Sequence, residues 1–206
     1  MKKLILFLIG LSFFFTIISP SASAYRLTSD DNPYTTVSLD TSKTLAYFIE
    51  GSFGAVSFSH MNEALYQWNK ESGYSLMRRD PNKRHYLTDF GTSSSKDTLN
   101  LVYKIGVSER YLALNSIRIS GYTVVESDIN FNIKNKFVNG AVKDGWDTFS
   151  VFLHETGHTV GLCDIPNPRD YEKDSVMVGN WESRTNSISW RKLRTDDING
   201  LKVLYP

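Results

Sequence analysis

The chain has 206 residues, with 23 Lys and Arg side chains against 22 Asp and Glu, which gives a formal net charge of +1 at pH 7. This balance argues against nucleic acid or an anionic membrane surface as the main partner, because both call for a basic patch. The single cysteine, Cys163, excludes an internal disulfide framework in an exported protein.

The first 24 residues have the three parts of a secretory signal peptide. Lys2 and Lys3 give a positive start, an apolar run extends from Leu4 to Ile18, and Ala22-Ser23-Ala24 forms an A-x-A cleavage site. A membrane anchor needs about 20 apolar residues, and this run is shorter. We therefore expect residues 1–24 to be removed on export. The product is a secreted, extracellular protein of bacterial type, with about 180 residues, enough for one domain.

After the signal peptide the sequence predicts a strand followed by a helix. Thr44–Ile49 is predicted to be a strand that ends before Gly51. Val56–Glu71 is predicted to be a helix, because its apolar residues recur at steps of three and four and form one core-facing stripe. The stripe consists of Phe58, Met61, Leu65 and Trp68.

Strands dominate the middle of the chain. Tyr74–Met77 and Thr98–Lys104 are predicted to be short strands, and β-branched and aromatic residues make Tyr122–Asn132 a strong one. Residues 111–120 are irregular in pattern. The basic stretch Arg78–His85 is interpreted as a solvated loop, because an aspartate interrupts it and no aromatic series accompanies it.

Two further helices are predicted towards the end of the chain. The first begins near Trp146 and Asp147, after a turn-rich segment. The second is a closing helix over Thr195–Tyr205, with Thr195 or Asp196 as its N-cap. The order of elements predicts an α+β fold in which helices pack against one twisted sheet.

Residues 154–164 read HETGHTVGLCD and place two histidines one helical turn apart. On a helix over residues 147–161, at about 100° per residue, His154, Glu155 and His158 share one sector, and apolar side chains occupy the opposite face. Two such imidazoles can bind one zinc ion at about 2.0–2.1 Å from each nitrogen. Glu155 is displaced around the helix from the two histidines, so it is better placed to bind a metal-bound water molecule than the metal. This is the metalloprotease interpretation of H-E-x-x-H.

The residues that follow His158 strengthen this interpretation. Gly161 stands where the helix must end, and glycine takes a positive φ there without steric cost. Asp164 lies six residues beyond His158, where a third ligand can arrive from a turn. Ser175-Val176-Met177 comes a short way further along the chain.

These residues resemble a known group of proteases. HETGHTVGLCD resembles the metzincin signature H-E-x-x-H-x-x-G-x-x-(H/D), and Asp174–Met177 resembles the metzincin Met-turn. Within that group the chain resembles matrixins, since Glu126–Asn132 is similar to the strand before their active-site helix and Thr195–Tyr205 to their closing helix. The resemblance implies a metzincin-type catalytic domain over residues 44–206, with a small C-terminal lobe, preceded by an N-terminal extension at 25–43.

The function that this resemblance implies is that of a secreted zinc-dependent endopeptidase acting on protein or peptide substrates. The implied ligands of one catalytic zinc ion are His154, His158 and Asp164. Glu155 is the implied general base towards a metal-activated water, and Met177 is implied to lie beneath the metal as a packing residue. We further expect a monomer that binds neither nucleic acid nor membrane once the signal peptide is removed. Calcium sites are left open.

Asp164 departs from most matrixins, which have histidine as the third ligand; in this respect the chain resembles small secreted bacterial proteases such as snapalysin. Two alternatives stay open: a secreted zinc-binding or adhesion module that has lost catalysis, and an enzyme whose third ligand is Glu182. His60 and His85 are expected to have no metal role. Cys163 is expected to pack the turn as a small apolar residue, with a redox-sensitive thiolate as the alternative.

Substrate is expected to lie extended along an edge strand within Ala113–Ser120, where strand addition supplies main-chain hydrogen bonds. The loop Val178–Trp190 is expected to wall the pocket for the residue after the cleaved bond, with an apolar character. Asp196 and Asp197 are expected to cap the closing helix, with a role in holding the Met-turn left open.

Overall fold

The structure is a computed structural model that describes residues 36–80, 100–105, 111–165, 175–179 and 187–206. Several sequence-based expectations fall outside these residues. They concern the signal peptide, most of the basic loop with His85, and the positions Asp174, Trp181 and Glu182.

The helices and strands largely follow the predicted order. In chain order they are β1 (Leu45–Ile49), α1 (Gly54–Ser72), β2 (Met77–Arg79), β3 (Asn100–Ile105), β4 (Ala113–Ser120), β5 (Thr123–Asn132), β6 (Phe137–Val138), β7 (Trp146–Asp147), α2 (Thr148–Thr159) and α3 (Thr195–Leu204). A 3₁₀ turn at Gly51–Phe53 leads into α1.

Five strands form one mixed sheet in the order β2-β1-β3-β5-β4. The strands β2, β1, β3 and β5 are parallel to one another, and β4 pairs antiparallel to β5. The helices α1 and α2 pack on this sheet and on each other. The predicted α+β fold is therefore confirmed, and β4 lies at an edge of the sheet.

The strand β4 is more regular than its sequence indicates. It pairs with β5 from Ala113↔Phe131 to Ser120↔Thr123, with one register shift between Arg118 and Ile119. The alternation is weak because an edge strand has partners on one side only, so its solvent-facing residues are free of the usual packing constraint. The irregular segment 111–120 thus contains the edge strand Ala113–Ser120, along which we predict that substrate binds.

The first helix buries the predicted stripe. Met61, Leu65 and Trp68 are fully buried, and Phe58 packs against the same core while partly exposed. The strand after it begins later than predicted, at Met77 rather than Tyr74. The Asn69 side chain explains the shift, because its Nδ2 donates to the Met77 carbonyl and its Oδ1 accepts from the Met77 amide.

The short segment ahead of β1 packs into the domain. Val37 and Leu39 are buried, and Ser38 bridges to the start of β5. The Leu39 amide donates to the Tyr205 hydroxyl at 2.9 Å, and that hydroxyl donates to the Val160 carbonyl at 3.0 Å. Part of the segment predicted to be an N-terminal extension is thus bonded to Tyr205 after α3 and, through its hydroxyl, to Val160 at the end of α2. Among the described residues, no helix is long and apolar enough to cross a membrane.

Candidate active site

The helix α2 begins at a strongly bonded aspartate. Asp147 caps it, with Oδ2 accepting from the Ser150 amide at 3.0 Å. Arg191 clamps the same carboxylate through Nε at 2.9 Å and Nη2 at 2.6 Å, and the Gly140 amide donates to it at 2.9 Å. Burial opposes ionisation, but Arg191 and the other donors outweigh it and hold the pKa of Asp147 below its ordinary value of 3.8. The cap thus joins α2 to the segment that precedes α3.

We expect Asp147→Asn to destabilise the protein by about 3 kcal/mol at neutral pH, because Arg191 loses its buried partner. The folded state lowers this pKa, so the unfolded state binds the proton more readily. The stabilisation is therefore fully present above pH 3.8 and is lost as the pH falls through the folded-state pKa. In urea unfolding from neutral pH down to about pH 2, the free energy of unfolding should fall less with decreasing pH in Asp147→Asn than in wild type. The exposed Asp144→Asn is the matched control, and equal curves for the two variants would contradict the prediction.

The two motif histidines are held by backbone carbonyls. His154 Nδ1 lies 2.8 Å from the Val176 carbonyl oxygen, and His158 Nδ1 lies 2.9 Å from the Leu162 carbonyl oxygen. A carbonyl accepts only, so each Nδ1 carries the proton and each Nε2 carries the lone pair that a metal requires. His154 is buried, whereas His158 is partly exposed towards the cleft.

The end of α2 is a glycine cap. Gly161 has a φ of 104°, its amide donates to the His158 carbonyl at 3.0 Å, and the Leu162 amide donates to the Gly157 carbonyl at 3.0 Å. This pair of bonds is the Schellman motif, and it confirms the predicted role of Gly161. The reversal also turns the Leu162 carbonyl back onto the His158 ring.

The reversed chain then carries Asp164 to the histidines. Asp164 Oδ1 lies 3.2 Å from His154 Nε2 and 3.8 Å from His158 Nε2. The three donor atoms all lie within 4.8 Å of one another. A tetrahedral ion with bonds of about 2.0–2.1 Å needs ligand atoms roughly 3.4 Å apart. Two neutral imidazole nitrogens and one carboxylate oxygen at this spacing fit zinc.

Glu155 is buried and stands beside this cluster rather than in it. It lines a cavity of about 300 Å³ together with both histidines and Asp164. Burial raises the pKa of Glu155 to about 7. Burial also opposes protonation of His154, but the neighbouring carboxylates of Asp164 and Glu155 outweigh it and raise the pKa of that histidine. Burial thus makes the Glu155 carboxyl group a stronger base than an exposed glutamate.

Met177 packs against α2. It is buried against Gly157, where a Cβ would collide with the Met177 sulfur and approach Trp68. The segment around Met177 also supports the turn that carries Asp164, because the Ile165 amide donates to the Met177 carbonyl at 2.8 Å. Glycine at position 157 is thus needed for packing, a point that the spacing of the histidines did not reveal.

Asp197 holds the Met-turn from the closing helix. Its carboxylate accepts from the Ser175 hydroxyl at 2.6 Å and from the Val176 amide at 3.0 Å. It also accepts from the Arg194 amide at 2.8 Å. Burial raises the pKa of Asp197 to about 6, so it is mostly ionised at neutral pH and can accept all of these bonds. The helix N-cap is Arg194, one residue before the predicted position.

Of the remaining candidate residues, Cys163 lines the cavity and His60 does not. Cys163 is partly buried and lines the cavity next to Asp164. His60 lies away from the histidine pair: its Nδ1 is 3.3 Å from Asn139 Oδ1 and its ring packs edge-on against Phe149. A structural interpretation therefore suits His60. Sequence reasoning missed Asn115, whose side chain lines the cavity from β4.

Comparison with known proteins identifies one family and two similar solved structures. Residues 42–206 match the matrixin family, Peptidase_M10. A solved structure titled "GM1 bound form of the ECX AB5 holotoxin" is similar, with 13% identity, a TM-score of 0.48, and coverage of 79% of this chain and 80% of that chain. High choriolytic enzyme 1, a hatching enzyme zinc-protease from the medaka fish Oryzias latipes, is similar at 11% identity, a TM-score of 0.43, and coverage of 79% and 88%. No curated protein matches the chain.

The chain belongs to the matrixin family, and its fold is that of a metzincin catalytic domain. It is accordingly a zinc metalloendopeptidase, whose substrates are proteins or peptides.

Proposed function

We propose that this protein is a secreted zinc endopeptidase in which His154, His158 and Asp164 hold the ion and Glu155 is the general base. The observation that carries the proposal is the convergence of three donor atoms within 4.8 Å. It is supported by the carbonyl bonds at both Nδ1 atoms, which leave both Nε2 atoms available as metal ligands. Secretion is inferred from the signal peptide in residues 1–24.

When bound, zinc supplies Lewis acidity that polarises a carbonyl group and acidifies water. The protein supplies the proton transfers. Glu155 is buried at the edge of the cavity with a pKa of about 7, close to the value that suits a base which must both accept and return a proton near neutral pH. It accepts the proton of the attacking water and delivers it to the leaving amine.

The third ligand distinguishes this site from that of most matrixins. A carboxylate at position 164 adds one negative charge where a neutral imidazole is usual, and sites with two histidines and one carboxylate are catalytically competent. Asp164 is about half exposed, whereas His154 is nearly buried. The exposed carboxylate therefore forms the rim of the site, and the buried histidine forms its floor.

The substrate is proposed to bind along β4 as an added strand. Among the described residues β4 pairs only with β5, and four of its residues line the cavity that holds the histidines: Ala113, Leu114, Asn115 and Ile117. Main-chain groups on its unpaired edge can bond to an extended peptide. Tyr111 and Leu114 line the same cavity, with about half and about one-third of their surfaces exposed. They offer apolar contacts to the side chains of the peptide.

Asp164→Asn tests the metal assignment. We expect zinc affinity to fall by at least about 100-fold, because an amide oxygen is a weaker ligand than a carboxylate and an outer-shell change alone costs 10–100-fold. The exposed Asp144→Asn makes the same chemical change away from the site and should retain one zinc per chain. Zinc content and affinity are measured by metal analysis and chelator competition on the purified mature chain. Equal affinity for the two variants would remove Asp164 from the ligand set.

A further inference from the structure

A buried polar cluster lies between α2 and the sheet, on the side of the helix away from the Met-turn. Thr159, next to the ligand His158, meets the Tyr47 hydroxyl at 2.7 Å and the Ser127 hydroxyl at 2.9 Å. The Tyr47 and Ser127 hydroxyls are themselves 2.7 Å apart. These groups come from β1, β5 and α2, so the last turn of the active-site helix is bonded to two strands.

Asn115 extends this cluster to the edge strand β4. Its Nδ2 donates to the Glu155 carbonyl at 2.6 Å and to the Thr159 hydroxyl at 2.8 Å. Its Oδ1 accepts from the Ser127 hydroxyl at 2.9 Å. All of the hydrogen-bonding groups of this side chain are therefore used, and two of its bonds reach α2 within one turn of both motif histidines.

We propose that Asn115 is a positioning residue that fixes the distance and register between the substrate strand β4 and the helix that carries Glu155 and the histidines. This inference rests on the proposed function, which places the peptide on β4. The attacked carbonyl is then located by β4, and the base and the metal ligands are located by α2. Among the residues that the structure describes, Asn115 provides the side-chain hydrogen bond from β4 to the backbone of Glu155.

The bonds are suited to fixing position because the alternatives are costly. If the strand and the helix moved apart, both Asn115 N–H donors would lose their partners on α2, and a partly buried donor left without a partner destabilises the displaced arrangement. The Asn115 amide reaches both partners only at one spacing of strand and helix, since its two N–H groups diverge from one nitrogen. A displacement of about 1 Å between substrate and catalytic groups can cost about 100-fold in rate.

The first test compares Asn115→Ala with Asn69→Ala. Asn69 is a matched control because its side chain also donates to one carbonyl and accepts from one amide, at Met77, far from the cavity. We expect Asn115→Ala to lower kcat by about 10- to 100-fold with KM changed less than about threefold, because substrate still binds β4 but is misplaced. Asn69→Ala should lose stability without that loss of kcat, when both are assayed well below their melting temperatures.

Two results of this assay would overturn the proposal. One is equal kcat in Asn115→Ala and Asn69→Ala; the other is a rise in KM at unchanged kcat, which would make Asn115 a substrate-binding residue. If Asn115→Ala does not fold, Asn115→Asp replaces it, because this isosteric change keeps the acceptor for Ser127 and removes both N–H donors. The same loss of kcat is then expected.

Amide hydrogen exchange of the metal-free protein separates this proposal from the proposed function. Loss of the Asn115 bonds should speed exchange both in β4 and in the last turn of α2, whereas Asn69→Ala should affect neither. If zinc-loaded wild type cleaves no peptide, the proposed function fails, and exchange alone then decides whether Asn115 couples the two elements. Unchanged exchange in Asn115→Ala would overturn the coupling, whatever the activity.

Discussion

Glu155→Gln is expected to lower kcat for peptide hydrolysis by about 10²- to 10⁴-fold, the range that general-base catalysis contributes. The amide has the same shape as the carboxyl but cannot accept the proton of the attacking water. Glu155 stands outside the cluster of three donor atoms, so zinc content should stay at one per chain. The effect should therefore appear in kcat rather than in metal binding.

The measurement pairs steady-state kinetics on a casein-derived peptide with metal analysis of each variant. Glu63→Gln, an exposed glutamate on α1, is the matched control and should behave like wild type. Equal activity in wild type and Glu155→Gln would exclude Glu155 as the base. A loss of zinc together with activity would instead place Glu155 among the ligands. The alternative of a zinc-binding module without catalysis predicts no cleavage by any of the three proteins.

The convergence of His154, His158 and Asp164 could be predicted from the sequence because its geometry is local. His154 and His158 share a helix face by spacing alone, and Gly161 reveals the reversal because few other residues tolerate its φ of 104°. Asp164 follows within the same turn. Once the helix and its end are recognised, backbone geometry brings these groups together without knowledge of the sheet.

The side chains that support the site could not be predicted from the sequence, because they bond to residues that are far away along the chain. Asn115 and Glu155 are 40 residues apart, and Asp147 and Arg191 are 44 apart. Asparagine and arginine are common in loops and edge strands, so no sequence pattern distinguishes Asn115 or Arg191 from other surface residues. The regular course of β4 was likewise hidden, since an edge strand needs no clear alternation.

The active-site helix is held from both sides by polar side chains. On the Met-turn side, Trp68 Nε1 donates to the Leu153 carbonyl at 3.0 Å and the Val176 carbonyl binds His154. On the sheet side, Asn115 and Tyr47 bond to the last turn. A buried helix that had only apolar contacts could slide or rotate by small amounts at little cost. Directional bonds on opposite faces oppose both movements and so keep His154 and His158 in register with the sheet and the Met-turn.

Gly161→Ala is expected to destabilise the protein by roughly 2–5 kcal/mol and to weaken zinc binding. A left-handed φ costs an alanine about 1–2 kcal/mol. At Gly161 the added Cβ would also collide with the Val37 carbonyl oxygen and approach the Leu204 side chain. Backbone cannot move aside as a flexible side chain can, so this contact adds about 1–3 kcal/mol. Any shift of the turn also moves Asp164, which follows directly.

Gly73→Ala isolates the conformational part of that effect. Gly73 ends α1 with a φ of 77°, and a Cβ there would meet nothing within 4 Å. The free energies of unfolding, from urea titrations of the metal-free proteins, should therefore fall by about 1–2 kcal/mol for Gly73→Ala and by clearly more for Gly161→Ala. Zinc affinity should fall in Gly161→Ala alone. Equal losses of stability in the two variants would show that Val37 does not confine the turn, and the close approach of the N-terminal segment to the zinc-binding turn would then have no energetic role.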